Sequence, residues 1–373
     1  MQSERPELPY ADELGPAKII HVHEPSCGLH ATLVIDNVAR GPAIGGLRMA
    51  PDVTLSECAR LARAMTLKNA AAGLPHGGGK SVLVGDPRME SARKEHLIRA
   101  FAHALRNETD YIFGPDMGTN EACMAWIKDE IGRAVGLPEE AGGIPLDDLG
   151  ATGWGLAACA EVAAPACGIS LVGARIAIQG YGAVGRHAAN FLARLGTRLV
   201  AASDTSGTIV NPAGIDVNGL GTHKLQGGRI ADYAGGEILG PDAVIDVPCD
   251  IWIPAARPDV IREDNVARLQ AKLVLQGANI PFTAAAEHAA AGLGITVVPD
   301  FIANAGGVIC AAMEYSGAAR EAAFAAIAEK VRANTRAVLA AAGAHSVLPR
   351  EAALVLAASR VRKAMGWRRF GAL

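Results

Sequence analysis

Apolar and polar positions along the chain fall into two patterns. Between residues 17 and 36, the runs Ile19-Ile20-His21-Val22-His23 and Ala31-Thr32-Leu33-Val34-Ile35 flank Pro25 and Gly28, which predicts paired strands. Thr54 followed by Glu57 predicts a helix opened by a capping box, and Gly73 and Pro75 end it. A strand is predicted at 81–84, a helix near 93–106, a short strand at 111–113 and a helix from about 120 to 135. The Gly/Pro-rich stretch 136–150 marks the approach to a domain boundary. Beyond it, predicted strands at 175–179, 198–203, 250–253, 272–275 and 295–298 alternate with helices, the pattern of a parallel, doubly wound sheet. An Ala-rich helix is predicted from about 308 to 342, and Pro349 opens a last one to about Met365.

Composition narrows the function classes. Half of the 373 residues are hydrophobic and 20% are charged, enough apolar surface for a packed chain of about two domains. A net charge of −3 offers no basic field for nucleic acid or an anionic membrane. Aromatics at 4% provide no stacking platform for single-stranded nucleic acid. The start, Met1-Gln2-Ser3-Glu4-Arg5-Pro6-Glu7, is polar, unlike a secretory signal, and no apolar run approaches the ~20 residues of a membrane span. The expected location is cytoplasmic. Seven scattered cysteines without a C-x-x-C read as free thiols. His21 and His23 share a strand face near Cys27, but no further grouping completes a metal site, and none is expected.

The strongest motif follows the strand at 175–179. Gly180-Tyr-Gly182-Ala-Val-Gly185 is G-x-G-x-x-G between a strand and a helix, the context that gives it meaning. Gly180 allows the tight turn, Gly182 the close approach of a pyrophosphate, and Gly185 the packing of helix on strand. Asp204 ends the next strand, 24 residues after Gly180. A carboxylate there accepts hydrogen bonds from ribose hydroxyls and repels a 2′-phosphate, so NAD is expected over NADP; a plain cap of the strand end is the alternative.

The N-terminal half holds the candidate chemistry. Cys58, Leu61, Met65 and Lys68 fall at steps of three, four and three, so Lys68 extends an apolar helix face and must snorkel out or meet an anion. Lys80 stands between Gly77-Gly78-Gly79 and Ser81-Val-Leu-Val84. The glycines would admit a ligand, and poor solvation would lower the lysine's pKa toward neutrality. A P-loop is rejected: position 74 is Leu74, not glycine, and a strand follows. Asp116, in Gly114-Pro-Asp-Met-Gly-Thr119, is a turn cap or a catalytic carboxylate.

Together these stretches resemble the Glu/Leu/Phe/Val amino-acid dehydrogenase family. Gly41-Pro-Ala-Ile-Gly-Gly-Leu-Arg48, Met65 to Pro75, Gly77 to Lys80, Gly114 to Thr119, Ala151-Thr-Gly153, Gly180 to Gly185, Gln276-Gly-Ala-Asn279 and Pro299 to Val308 occur in the family's order. The resemblance implies a two-domain α/β fold: an N-terminal α/β substrate domain and a Rossmann-type doubly wound nucleotide domain, separated by a cleft. Residues 1–147 plus 335–373 would form the substrate-binding, catalytic and oligomerisation domain, and 148–334 the NAD-binding domain. It implies NAD-dependent oxidative deamination of an L-amino acid to a 2-oxo acid and ammonia, by a homo-oligomer. By motif, Lys68 resembles the anchor of the substrate α-carboxylate, Lys80 the lysine that activates water, and Asp116 the proton shuttle. Gly45, Gly46 and Met65 fall with the substrate site. Thr152, Ala183, Val184, Ala278, Asn279 and Asn304 fall with the nicotinamide cofactor, Asn279 touching the substrate too.

The substrate branch is read from the pocket positions. The glutamate branch usually carries a lysine where this chain has Ile44 and a serine where it has Ala311. Without those partners a side-chain carboxylate is costly to bury, so Ile44, Met65, Val308 and Ala311, with Met117 close by, imply an apolar substrate. Against this, the stretch from Ser203 to Asp216 resembles the glutamate branch's nucleotide domain. The alternatives are a glutamate dehydrogenase with side-chain anchors supplied elsewhere and a catalytically silent NAD-binding regulatory protein.

Overall fold

The computed structural model describes residues 10–373; the polar start at 1–7 lies outside the described residues. The chain divides into two compact units. One runs to Pro145 and takes back Ala311–Ala319 and Ala357–Leu373; the other comprises Leu146–Cys310 and Arg320–Leu356.

In the first unit, β1 (Lys18–Glu24) and β2 (Leu29–Asn37) form the expected hairpin. Next come β3 (Ala43–Ala50), α1 (Leu55–Ala71), β4 (Gly77–Val84), α2 (Ser91–Ala104), β5 (Tyr111–Pro115) and α3 (Glu121–Ile131). The sheet order is β1-β2-β4-β3-β5, antiparallel as far as β4 and parallel from β4 through β3 to β5. Its core includes Leu33, Leu47, Phe101, Phe113 and Met124; burying one such side chain contributes about 1.5–3 kcal/mol. Thr54 caps α1 by accepting from Glu57 N at 3.1 Å, while the Glu57 carboxylate pairs with Arg48. The helix predicted to Val135 stops at Ile131. Gly132 takes the left-handed conformation that ends it, and Phe113 N and O then bond Arg133 O and Val135 N beside β5.

The second unit contains α4 (Leu146–Leu149), α5 (Ala151–Ala166), β6 (Arg175–Gln179), α6 (Ala183–Arg194), β7 (Arg198–Asp204), β8 (Gly207–Val210), α7 (Val217–Leu225), β9 (Glu237–Leu239), β10 (Ile251–Pro254), β11 (Leu273–Leu275), α8 (Ala284–Gly292), β12 (Thr296–Val298) and α9 (Asp300–Ala303). The sheet order β12-β11-β10-β6-β7-β8-β9 is parallel through β7, the expected doubly wound core. At its edge β8 and β9 run antiparallel, two strands that the sequence reading lacks.

The C-terminal helices depart from expectation. The single helix predicted over 308–342 is two, α10 (Gly306–Tyr315) and α11 (Arg320–His345), broken where Gly317 has φ +70°. The expected assignment of 335–373 to the substrate domain also changes. Residues Arg320–Leu356 belong to the nucleotide unit because α11 lies along α5: Trp154 Nε1 donates to Phe324 O at 2.9 Å, Arg332 pairs with Glu161, and Thr335 Oγ1 reaches Cys159 Sγ at 3.4 Å. The last helix, α12 (Pro349–Met365), divides at Ala357 between the units. Among the described residues, no helix is long and apolar enough to cross a membrane.

Candidate functional site

In the first unit the candidate residues converge on β3, β4 and the turn after β5. Lys80 is 4% exposed and pairs with Asp116. The second cation there is Arg48, whose Nε donates to Asp116 Oδ1 at 2.9 Å. Burial alone would raise the Asp116 carboxyl, but Lys80 and Arg48 outweigh it and hold the group below the ordinary carboxylate range. Its turn is latched by Thr119, whose Oγ1 accepts from Asp116 N at 3.0 Å and donates to Leu47 O at 2.8 Å. Met117 N donates to Asp116 Oδ1 at 2.7 Å, and its side chain, expected close to the pocket, is exposed. Cys58, beneath Lys80, is pushed up to about 12 by burial and carries no nucleophilic chemistry.

The glycines before Lys80 have a different cause from the one read in the sequence. A Cβ on Gly77 would overlap Asn37 O, and one on Gly78 would overlap Thr66 N. Protein backbone, not a ligand, fills that space, and the bare glycines let β2 and α1 press against β4. The α1 stripe is corrected too. Cys58, Ala62, Thr66 and Asn69 are among its buried positions, whereas Leu61, Met65 and Lys68 are half-buried. Ile44 is buried in β3 opposite Gly78 and Ile112.

Several supporting residues escaped the sequence reading. Asn69 Nδ2 donates to Gly77 O at 2.7 Å and Ile44 O at 3.3 Å, tying β4 to β3. Tyr111 OH donates to Gly45 O at 2.8 Å, and a Cβ on Gly46 would press on the Asp116 side chain. Arg360, from α12, donates to Ala70 O and Ala71 O at 3.1 and 2.7 Å, a cation on the C-terminal carbonyls of the helix that carries Lys68. Only Asn69 lies inside a stretch singled out from the sequence; the others depend on contacts across the fold.

His21 Nδ1 meets Thr32 Oγ1 at 3.1 Å and His23 stacks on His30 at 4.3 Å between ring centroids. Among the described residues no group of three or more His, Cys, Asp or Glu is placed to hold a metal ion.

In the second unit the G-x-G-x-x-G loop joins β6 to α6. Gly180 has φ +92°, and a Cβ there would strike Ala256; one on Gly185 would overlap Gly180 O. A Cβ on Gly182 would meet nothing within 4 Å, so the protein itself leaves that space open. Ala183 and Val184 begin α6, whose N-cap Gly182 supplies no side-chain bond, leaving amides for an anion. Gln179 Oε1, Tyr181 OH and Asn304 Oδ1 are buried without a hydrogen-bond partner, an unusual expense unless a ligand completes them. The cradle and the orphaned atoms fit a dinucleotide.

Gly277 and Ala278 N donate to Pro254 O at 2.9 and 2.8 Å, and Asn304 Nδ2 donates to Asn279 Oδ1 at 3.0 Å. Gly306 packs so closely on Ala151 O that a Cβ would overlap it, and a Cβ on Gly307 would lie 3.3 Å from Thr152 Oγ1. Val308 and Ala311, both half-buried, lie on α10, at positions that fall in different units. Asp204 is surrounded by donors of its own unit. Its Oδ1 accepts from Ser206 N at 2.8 Å and from Ser206 Oγ, and its Oδ2 accepts from Lys224 Nζ at 2.5 Å and Ile230 N at 3.1 Å. Burial would raise this carboxyl, yet these donors lower it to about 2.

A Rossmann-type unit with an open glycine cradle, in a chain whose other unit buries a lysine–aspartate pair, defines a nucleotide-dependent oxidoreductase. The model described as Glutamate/Leucine/Phenylalanine/Valine dehydrogenase matches residues 142–369, and that of the family's dimerisation domain matches 16–133. The chain belongs to the Glu/Leu/Phe/Val dehydrogenase family and is an amino-acid dehydrogenase. It is 39% identical over 292 residues to a glutamate dehydrogenase of Aeropyrum pernix, covering 75% of this chain and 70% of that protein. An NADP(+)-dependent glutamate dehydrogenase of Pyrobaculum calidifontis is 39% identical over 297 residues, with the same coverage. The structure is similar to the hetero-hexameric glutamate dehydrogenase of Thermus thermophilus in its Leu-bound form, with a TM-score of 0.81, 30% identity, and coverage of 94% of this chain and 89% of that one.

Proposed function

We propose that the chain is an L-amino-acid dehydrogenase whose substrate carries an apolar side chain, oxidatively deaminated to its 2-oxo acid and ammonia. Ile44 carries the reading: a buried aliphatic residue stands in β3 where a side-chain carboxylate needs a cation. Two cations of the same unit, Lys80 and Arg48, are already committed to Asp116. Met65, Val308 and Ala311, apolar at the positions that the family resemblance gives to the substrate, support the same reading, as do Gly45 and Gly46. The glutamate dehydrogenases among its relatives favour a second reading, in which this chain takes glutamate through anchors supplied elsewhere.

In this mechanism Lys68 binds the substrate α-carboxylate. Asp116, ionised at neutral pH, takes a proton from the substrate ammonium, because loss of the Cα hydrogen with its electron pair needs a neutral amine. Bound nicotinamide supplies the acceptor for that hydrogen. The Lys80 ammonium orients the water that attacks the imine carbon, and its charge stabilises the carbinolamine as the water's proton leaves to solvent; Asp116 returns its proton to the departing ammonia. Thr152, Ala278, Asn279 and Asn304 hold the nicotinamide end, and Gly180, Gly182, Ala183, Val184 and Gly185 the pyrophosphate.

Both dinucleotides are accepted, with NAD preferred. Asp204 excludes a 2′-phosphate less than an unpaired carboxylate would, because Lys224 balances its charge. The active form is a homo-oligomer built through the dimerisation domain.

The test is kcat/KM across leucine, valine, phenylalanine and glutamate. Apolar substrates should exceed glutamate by roughly 10⁴-fold, the rejection expected of a site that leaves a polar group unpartnered. Glutamate within about tenfold of the best apolar substrate would overturn the reading. Ile44→Lys should gain glutamate activity.

A further inference from the structure

Ile280, directly after Asn279, has φ +49° and is 53% exposed. A β-branched residue in the left-handed region is strained, and exposed packing does not hold it there. Hydrogen bonds do. Its N–H donates to Asp300 Oδ2 at 2.9 Å, and its carbonyl accepts from Asp259 N at 2.9 Å.

Asp300 is in turn locked from behind. It is 6% exposed, its own N donates to Gln276 Oε1 at 3.0 Å, and its Oδ1 accepts from Arg350 Nη2 at 2.9 Å. Arg350, near the start of α12, also donates to Gln276 Oε1 at 2.8 Å and to Glu287 Oε2 at 2.7 Å; Gln276 Nε2 closes the ring on Glu287 Oε1 at 2.7 Å. The guanidinium lies 5.5 Å from the centre of the Phe301 ring. This ring of four polar side chains ties together the segments bearing Asn279 and Asn304. Arg350 and Glu287 lie outside every motif singled out in the sequence.

With Asn279 at the reacting end of the nicotinamide, as in the function proposed above, we propose that Asp300 and Arg350 are positioning residues: they hold Ile280 in its left-handed conformation and so aim the Asn279 amide. A conformer kept by two hydrogen bonds against its own preference is lost when the anchor goes, and the competent fraction of the enzyme falls with it.

The experiment is a double-mutant cycle with Asp300→Asn and Ile280→Gly, since glycine adopts the left-handed conformation unaided. It uses the best substrate of the amino-acid panel. Asp300→Asn should lower kcat by about 10- to 100-fold while leaving the Kd for NAD, measured by titration without amino acid, within about threefold. Hydrogen exchange at the Ile280 amide should speed up. Adding Ile280→Gly should restore kcat by about tenfold, which a purely structural role of Asp300 would not allow. Additive losses, or NAD affinity falling in step with kcat, would overturn the proposal. If Asp300→Asn does not fold, Arg350→Lys takes its place in the cycle with the same expected rescue. Asn279→Ala separates the two levels: unchanged kcat removes the placement of Asn279 and the proposal with it, whereas a large loss beside an additive cycle removes the proposal alone.

Discussion

Asp116 and Asp204 occupy the same kind of place, the end of a parallel strand where the chain turns, yet their surroundings give them different work. Asp204 ends β7 at the turn into β8, and its donors are that turn, Ile230 N and Lys224. Its oxygens are filled within its own unit, by the hairpin turn, by Lys224 of α7 and by Ile230 N. Asp116 follows β5 and is held by two side-chain cations, one of them the buried Lys80. The ammonium at Asp204, Lys224, is partly exposed and stands among backbone and hydroxyl donors that shape a turn; Asp116 faces the buried ammonium of Lys80, a pair through which a proton can pass. Position in the fold did not separate the two, but the identity of the donors does.

The largest expected effect that would break this contrast is at the Lys80 pair. Lys80→Ala should lower turnover by roughly 10²–10⁴-fold, the range of a lost general acid–base, while dinucleotide binding, measured by titration, survives. Asp116→Asn should depress turnover about as strongly, and it should also lower stability by about 3 kcal/mol in denaturant unfolding, because the buried ammonium loses its anion. Turnover intact in Asp116→Asn would make Asp116 another Asp204. Lys224→Ala sharpens the comparison on the other side. Turnover with NAD should persist, and the NAD-over-NADP ratio of kcat/KM should rise by about tenfold as Asp204 loses its neutralising partner; an unchanged ratio would show that this pair does not face the cofactor. The smallest effect is in acid. The Asp204 carboxyl is lowered to about 2 from an ordinary 3.8, so its stabilising share is present above about pH 4 and fades as pH falls from there toward 2. Asp204→Asn should flatten that part of the stability profile.

The nucleotide unit was legible because its motif is local. Gly185 solves a problem set five residues earlier by Gly180 O, so spacing states that geometry, whereas the obstacle at Gly180, Ala256 beyond β10, comes from the far side of the fold. The sheet edge was missed because β8 and β9 are short, four and three residues, and pair only once the chain has folded back. In the first unit Lys68, Lys80 and Asp116 could be singled out, but the partners that define them could not. Arg48 reaches Asp116 from β3, far back in the sequence, while Tyr111 and Asn69 bond the carbonyls of Gly45, Ile44 and Gly77 around the site, and sequence distance hides such contacts. The triple glycine was misjudged for the same reason. What it admits is helix α1 and strand β2, which no local pattern announces.

That difference between glycines sets what a library of random variants would return. At Gly77 and Gly78 any side chain collides with backbone, so variants should vanish from the pool of accumulated protein whatever activity is selected. At Gly182 a methyl group collides with nothing in the polypeptide, so Gly182→Ala should accumulate normally and fail only where dinucleotide is required. Measuring cellular abundance beside growth selection would therefore sort glycines into those that the fold requires and those that the ligand requires, before any ligand has been seen in place.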